Sequence, residues 1–148
     1  MKEGASVRVG IIGGGAAGLI CACSLAKNKK IDVTVFEKNE RVGKKLLSTG
    51  NGRCNLTNLS ATANDYYASG EFVAPAFEKY PPKSNIAFFE SLGLFTRADS
   101  EGRVYPMSNQ ASSVLDALRF ECERLGVRFL CSCDIKNVKV NNKKYVLN

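Results

Sequence analysis

The chain has 148 residues, a formal net charge of +7, 45% hydrophobic residues and no histidine. That length suffices for one domain with its own core, and the missing histidines exclude Ser-His-Asp and Cys-His catalysis and imidazole metal sites, so chemistry has to come from a cofactor or from other groups. The basic residues are spread along the chain with acids between them and are densest from Lys38 to Arg53, which acidic small molecules explain as well as nucleic acid does; the absence of an arginine-rich run or an interleaved aromatic platform argues against nucleic acid as a partner.

In chain order, Val7 to Ile12 is apolar at nearly every position, as expected of a central parallel strand covered on both faces. It runs into Gly13-Gly14-Gly15-Ala16-Ala17-Gly18. In this pattern Gly13 makes the tight turn off the strand, Gly15 lets a pyrophosphate approach the backbone, and Gly18 lets the following helix pack closely on the strand. The helix is expected over Ala16 to Lys29, with its free N–H groups and positive dipole end forming an anion site. A second strand, Asp32 to Glu37, ends in an acid 19 residues beyond Gly18, where a ribose diol would be held. The unit is therefore βαβ, with its two strands parallel.

Lys2 and Arg8 ahead of an apolar run to Ala26 imitate a signal peptide. Five glycines between Gly10 and Gly18 break up any continuous apolar helix, and the run is too short to span a bilayer, so a cytoplasmic protein without a membrane partner is expected. The six cysteines (21, 23, 54, 122, 131 and 133) contain no CxxC. Cys21 and Cys23 point to different faces of the expected helix and cannot pinch a metal, so reduced thiols and no metal site are expected.

After Glu37, a short helical piece around Lys44 to Leu47 leads into a polar loop. There Gly50 and Gly52 let the backbone approach a planar ligand, while Ser48, Thr49, Asn51, Arg53 and Asn55 offer hydrogen bonds. Asn58 to Gly70 is an exposed loop. Phe72 to Tyr80 and Ser84 to Leu92 are two short helices with Phe77, Phe88, Phe89 and Leu92 on their buried side. Leu94 to Arg97 and Arg103 to Tyr105 form a hairpin. Ser108 is a suitable N-cap for a helix over 109–125 that carries Val114, Leu115, Leu118, Cys122 and Leu125 at helical spacing and stops at Gly126. Val127 to Cys131 is a further parallel strand, and Ile135 to Val140 with Tyr145 to Leu147 a ribbon turned at Asn141-Asn142. Taken alone, the first motif permits an NAD-binding Rossmann domain or a non-enzymatic nucleotide-binding module as well as a flavin domain. Glu37 disfavours NADP, an argument softened by Lys38, and the loop from Thr49 to Asn55 reads by itself equally as an ordinary surface turn.

Gly13 to Gly18, Glu37 and the run Gly43-Lys44-Lys45-Leu46-Leu47-Ser48-Thr49-Gly50-Asn51-Gly52-Arg53-Cys54-Asn55 resemble the BaiN/YhiN-type, aminoacetone-oxidase-like family of FAD-dependent oxidoreductases. Gly102-Arg103-Val104-Tyr105-Pro106 resembles a second signature of that family. The resemblance implies an α/β, Rossmann-like FAD/NAD(P)-binding domain of the glutathione-reductase-like type: three layers, with a parallel sheet and a small antiparallel ribbon. It implies FAD held by Gly13, Gly15, Ala16, Ala17 and Gly18 at the pyrophosphate and by Glu37 with Lys38 at the adenosine ribose. Lys45 and Thr49, Gly50, Asn51, Gly52, Arg53, Cys54 and Asn55 are placed near the flavin, and the Ile135 backbone at the adenine. Arg103 becomes a candidate for a substrate carboxylate, whereas Cys54 reads as a packed thiol. A small-molecule substrate is implied, with NAD(P)H as a candidate electron donor. Members of the family are much longer, so the chain is expected to be an N-terminal FAD-domain fragment, inactive alone and prone to self-association through exposed apolar surface.

Overall fold

A computed structural model describes residues 7–67, 70–142 and 144–148. The chain divides into two compact units, one made of Met1–Leu46 with Leu118–Asn148 and the other of Leu47–Ala117.

In the first unit, β1 (Val7–Ile12) and β2 (Ile31–Phe36) pair in parallel from Val7 opposite Ile31 to Ile12 opposite Phe36. β2 also pairs in parallel with β6 (Arg128–Leu130), giving the order β1-β2-β6. Strand alternation separates the two faces of this sheet. Val33 and Val35 are buried on the face where Ile11 meets α1 (Ala16–Ala26), and α1 buries Leu19, Ala22, Cys23 and Ala26. The other face carries Gly10, Thr34 and Phe36 and is overlaid by a ribbon of β7 (Val138–Asn141) and β8 (Lys144–Leu147), turned at Asn142 with φ +46°. An 830 Å³ cavity lies between this face and the ribbon, lined by Phe36, Leu130, Val138, Tyr145 and Leu147. The result is the expected Rossmann-like, three-layer α/β arrangement with a parallel sheet and an antiparallel ribbon.

Two local differences from the sequence reading have clear causes. β1 is an edge strand: among the described residues nothing pairs with its outer side, and Val7 and Ile12 are 60% and 54% exposed instead of covered on both faces. α1 stops at Ala26 because Asn28 turns the chain. Its N–H donates to Leu25 O, its Oδ1 accepts from Lys30 N–H, and its carbonyl accepts from Ile31 N–H, starting β2.

The second unit holds a small antiparallel sheet in the order β3-β5-β4, with β3 (Thr57–Asn58), β4 (Thr96–Ala98) and β5 (Arg103–Pro106). The expected hairpin is β4-β5, and β3 adds a strand that the sequence did not suggest. α2 (Gly70–Lys79) and α3 (Pro82–Ser91) occupy the two expected helical stretches; Phe89 is buried, Phe77 and Phe88 half-buried, and Phe72 exposed. The buried side chains here include Leu94, Val104, Tyr105, Val114 and Leu115.

α4 (Ala111–Arg124) begins in the second unit and returns the chain to the first at Leu118. Ser108 is not its N-cap. The chain passes through Asn109 at φ +59°, and the Ser108 hydroxyl accepts from Gln110 N–H at 3.3 Å, just ahead of the helix. Gly126 closes α4 at φ +79°, where Val127 N–H reaches Cys122 O at 2.9 Å.

Candidate nucleotide-binding site

Each glycine of the first turn has its own reason. Gly13 sits at φ +102°, a conformation a side chain resists, and its N–H donates to Phe36 O at 2.7 Å, holding the turn against the end of β2. A Cβ on Gly18 would stand 2.0 Å from the Gly13 carbonyl oxygen, so close packing of helix on strand requires glycine there. Gly15 differs: its φ of −79° suits any residue, and a Cβ would meet nothing within 4 Å. The protein itself therefore does not require glycine at 15, and the open space suits a ligand that must touch the backbone.

Gly15 is also the N-cap of α1, without a side-chain cap and with no acid in the first turn. The first helical bond runs from Leu19 N–H to Gly15 O at 2.9 Å, which leaves the N–H groups of Ala16, Ala17 and Gly18 outside the helical ladder. Ala16 and Ala17 are exposed. Small side chains, free donors and the positive dipole end together favour an anion, and a dinucleotide pyrophosphate fits this donor set.

Glu37, just past β2, is only 7% exposed. Its Oε2 accepts from Gly14 N–H at 2.8 Å, and its Oε1 accepts from Asn39 N–H at 2.8 Å and from Asn39 Nδ2. Burial pushes this carboxyl up. The hydrogen bonds from the Asn39 and Gly14 backbone and the Asn39 side chain, with Lys38 nearby, outweigh that and hold it below the ordinary glutamate value. A carboxylate oxygen has about two acceptor positions, so Oε2 retains one for a hydroxyl. Glu37 is thus an ionised, oriented acceptor tied directly to the glycine turn.

Sequence reasoning missed three members of this arrangement. Gly14 supplies the N–H to Glu37, and a Cβ there would lie 2.6 Å from the Val42 side chain. The Gly14 carbonyl also accepts from Gly43 N–H at 2.7 Å, drawing the Val42-Gly43 turn onto the motif. Asn39 clamps Glu37 and receives Ser132 N–H on its carbonyl at 2.9 Å, while Cys133 N–H reaches Glu37 O at 2.9 Å. These two straps bring the segment after β6 to the end of β2; Ile135 follows two residues later, half-buried in irregular chain ahead of β7. Lys38 and Lys45 are exposed. The only sequence signal for the missed residues was a third consecutive glycine.

In the second unit, the loop through Thr49 to Asn55 has an unusual backbone. Short 3-10 turns over Leu46–Gly52 are interrupted at Thr49, Gly50 and Asn51, and φ is positive at Gly50 (+54°), Asn51 (+53°), Gly52 (+80°) and Cys54 (+59°). Left-handed backbone at a non-glycine residue costs on the order of 1 kcal/mol and gathers at ligand-contacting segments. Cys54 N–H to Thr49 O at 3.0 Å and Arg53 N–H to Gly50 O at 3.1 Å hold the shape. The Arg53 guanidinium lies 4.7 Å from the centre of the Tyr105 ring, and its Nε donates to Gly50 O. Thr49, Gly50, Asn51, Gly52 and Asn55 are exposed, whereas Cys54 is buried, with its thiol raised by that burial against a hydrogen bond with Thr49. Arg103 does not present a free fork: its Nε donates to Asp99 and its NH2 group to Glu101, both at 2.8 Å, so it serves its own hairpin.

Among the described residues, no three His, Cys, Asp or Glu side chains gather at metal-binding spacing, and no helix is long and apolar enough to cross a membrane.

Comparison with known proteins places this geometry. The chain is 39% identical over 142 residues to the 3-dehydro-bile acid delta(4,6)-reductase of Clostridium scindens, covering 95% of this chain and 34% of that protein. It is 34% identical over 130 residues to the ribosomal RNA dihydrouridine synthase of Haemophilus influenzae, covering 87% of this chain and 32% of that one. The chain therefore spans about a third of the length of these relatives. Among solved structures, Thermovibrio ammonificans THI4 superposes with a TM-score of 0.58 at 17% identity, over 96% of this chain and 45% of that one. Glycine oxidase from Geobacillus kaustophilus does so with a TM-score of 0.51 at 15% identity, over 96% and 51%. Residues 7–148 match the HI0933-like protein Rossmann domain, and the chain belongs to that family, the FAD-dependent oxidoreductases that its glycine turn and Gly43 to Asn55 run resemble.

Proposed function

We propose that this chain is the FAD-binding portion of a flavin-dependent reductase that saturates a carbon–carbon double bond conjugated to a carbonyl. Gly15 carries the cofactor reading: it is the one glycine of the turn whose missing side chain the fold does not need, and it lies at a helix terminus with three N–H groups outside the ladder. The reaction class rests on the two relatives, whose names describe reduction of a bile-acid enone system and formation of a dihydropyrimidine. When bound, FAD supplies the hydride and electron chemistry.

The residues of the chain divide the work of holding it. Gly13, Gly15, Ala16, Ala17 and Gly18 receive the pyrophosphate; Glu37, oriented by Gly14 and Asn39 and flanked by Lys38, accepts from the adenosine ribose; and the Ile135 backbone contacts the adenine. Lys45 and the strained run of Thr49, Gly50, Asn51, Gly52, Arg53, Cys54 and Asn55 contact the flavin, with the loop backbone approaching the ring at Gly50 and Gly52. Cys54 packs and does not exchange electrons. The substrate is a small molecule, NAD(P)H is the electron donor, and the protein works in the cytoplasm. A second reading, with an RNA base as substrate, is favoured by the dihydrouridine synthase relative.

The adenosine half is tested directly on this chain by titration with ADP, followed by competition with FAD and with NAD. ADP and FAD should compete for one site, with NAD weaker. If ADP does not bind, or if NAD displaces FAD readily, the reading is wrong. Chromophore extraction from the longest natural form of the protein should yield FAD, and turnover of a small enone against a uridine-containing RNA separates the two substrate readings.

A further inference from the structure

α1 and α4 meet through a pair of sulfurs that the cofactor site does not use. Cys23 and Cys122 are each 0% exposed, and their Sγ atoms stand 3.3 Å apart. Each thiol also lies 3.6 Å from a carbonyl of the facing helix, Cys23 from Leu118 O and Cys122 from Leu19 O. Both residues belong to the first unit, yet they are 99 positions apart, and the whole of Leu47–Ala117 lies between them in the chain. In the sequence, the two sulfurs therefore bracket the whole second unit.

We propose that Cys23 and Cys122 form a reversible disulfide that fastens α1 to α4 under oxidising conditions. A disulfide needs its sulfurs at about 2.05 Å, so they must close by little more than 1 Å. The oxidant is a peroxide. One thiolate attacks a peroxide oxygen, breaking the O–O bond to give a sulfenic acid and hydroxide, which takes up a proton to become water. The second thiol then attacks the sulfenic sulfur, forming the S–S bond and releasing a second water. Two thiols lose two electrons and two protons in all, hydrogen peroxide takes them up, and a dithiol reductant reverses the change. The hydrogen bond with Cys122 lowers the Cys23 thiol against the opposing effect of burial, and that same contact raises Cys122, which assigns the first attack to Cys23. Because neither sulfur is exposed, peroxide reaches them only when the helices open locally, so the reaction is slower than oxidation of the exposed Cys21.

The link encloses the entire second unit, so it holds the first unit together whether or not the second is folded. The test uses the full chain carrying Cys21→Ser, because trypsin otherwise leaves Cys21 and Cys23 in one peptide, Val9 to Lys27. The folded protein is incubated with hydrogen peroxide, alkylated and digested without reductant. The expected product is the Val9 to Lys27 peptide joined to Phe120 to Arg124, released by dithiothreitol and accompanied by a higher thermal midpoint. Adding Cys122→Ala should abolish both the link and the rise in midpoint. Recovery of Cys23 and Cys122 separately alkylated or oxidised to sulfinic acid, or joined to other cysteines, would overturn the proposal; peptide mapping of the Cys21→Ser chain decides this even if the Cys122→Ala variant does not fold.

Discussion

Alanine at Gly15 and at Gly18 should produce opposite phenotypes, although the two positions are three residues apart in one motif. At Gly18 the new Cβ would stand 2.0 Å from the Gly13 carbonyl oxygen, a backbone atom that moves only with the turn itself. Overpacking of this kind costs about 1–3 kcal/mol, of which better helix propensity recovers at most about 1 kcal/mol. At Gly15 the Cβ meets nothing, and φ of −79° is already suited to alanine. Reduced freedom of the unfolded chain contributes about 0.4–1 kcal/mol, and alanine's weakness as an N-cap takes away a similar amount, so stability stays within about 1 kcal/mol of the parent. In a chain of this size that is a midpoint shift of no more than about 2–4 °C. The same methyl stands where an anion would meet the helix terminus. Loss of one charge-assisted hydrogen bond costs about 1.5–3 kcal/mol, which predicts ADP affinity lower by about 10- to 150-fold. Thermal or urea unfolding gives the first quantity, and ADP titration gives the second. If Gly15→Ala binds ADP like the parent, or loses as much stability as Gly18→Ala, then Gly15 is structural and the cradle has been misplaced.

Glu37→Gln keeps an acceptor for Gly14 but removes the charge, and should weaken ADP by about 1–3 kcal/mol in the same titration. The folded Glu37 carboxyl is depressed, so its stabilisation is present above the ordinary glutamate value of about 4.3 and is lost as pH falls through and below it. Acid titration of stability should accordingly show a shallower decline for Glu37→Gln, and parallel curves would exclude the contribution. Gly14→Ala should destabilise through the 2.6 Å approach to Val42, and Val42→Ala should recover part of the loss; additive effects in the double mutant would exclude that contact. Sedimentation should detect concentration-dependent self-association, increased by Arg8→Val because Arg8 is the only charged residue in β1; no change in that variant would acquit the β1 edge.

The parts of the fold legible in the sequence were those with local causes. β1, the glycine turn, β2 and the stop of α4 at Gly126 follow from short apolar runs, helical spacing and positive-φ demands within a few residues. Gly18 could be assigned its role because the Gly13 carbonyl it packs on is close in the chain. Gly14 could not, because its constraint is Val42, brought back by a turn after Glu37, and nothing in residues 13–18 encodes that return. Ser108 shows the reverse error: a good capping residue at a plausible spacing, displaced by the left-handed turn at Asn109. Arg103 was legible as a charge but not as a partner of Asp99 and Glu101, which depends on how the hairpin closes. The Cys23–Cys122 contact was invisible because two helices set it across 99 positions. In the loop from Thr49 to Asn55 the glycines hinted at an unusual path, but left-handed backbone at Asn51 and Cys54 is a property of the folded segment.

The strand that launches the glycine turn is also the strand whose outer edge is unpaired among the described residues. Anything that adds a strand there, whether another segment or another copy, takes hold of the platform from which Gly13 turns and α1 is aimed. By thermodynamic linkage, whatever such pairing does to nucleotide affinity, nucleotide must do to the pairing by the same factor. Assembly at the β1 edge and occupancy of the cradle are then two readings of one equilibrium, and a measured change in either gives the size of the other.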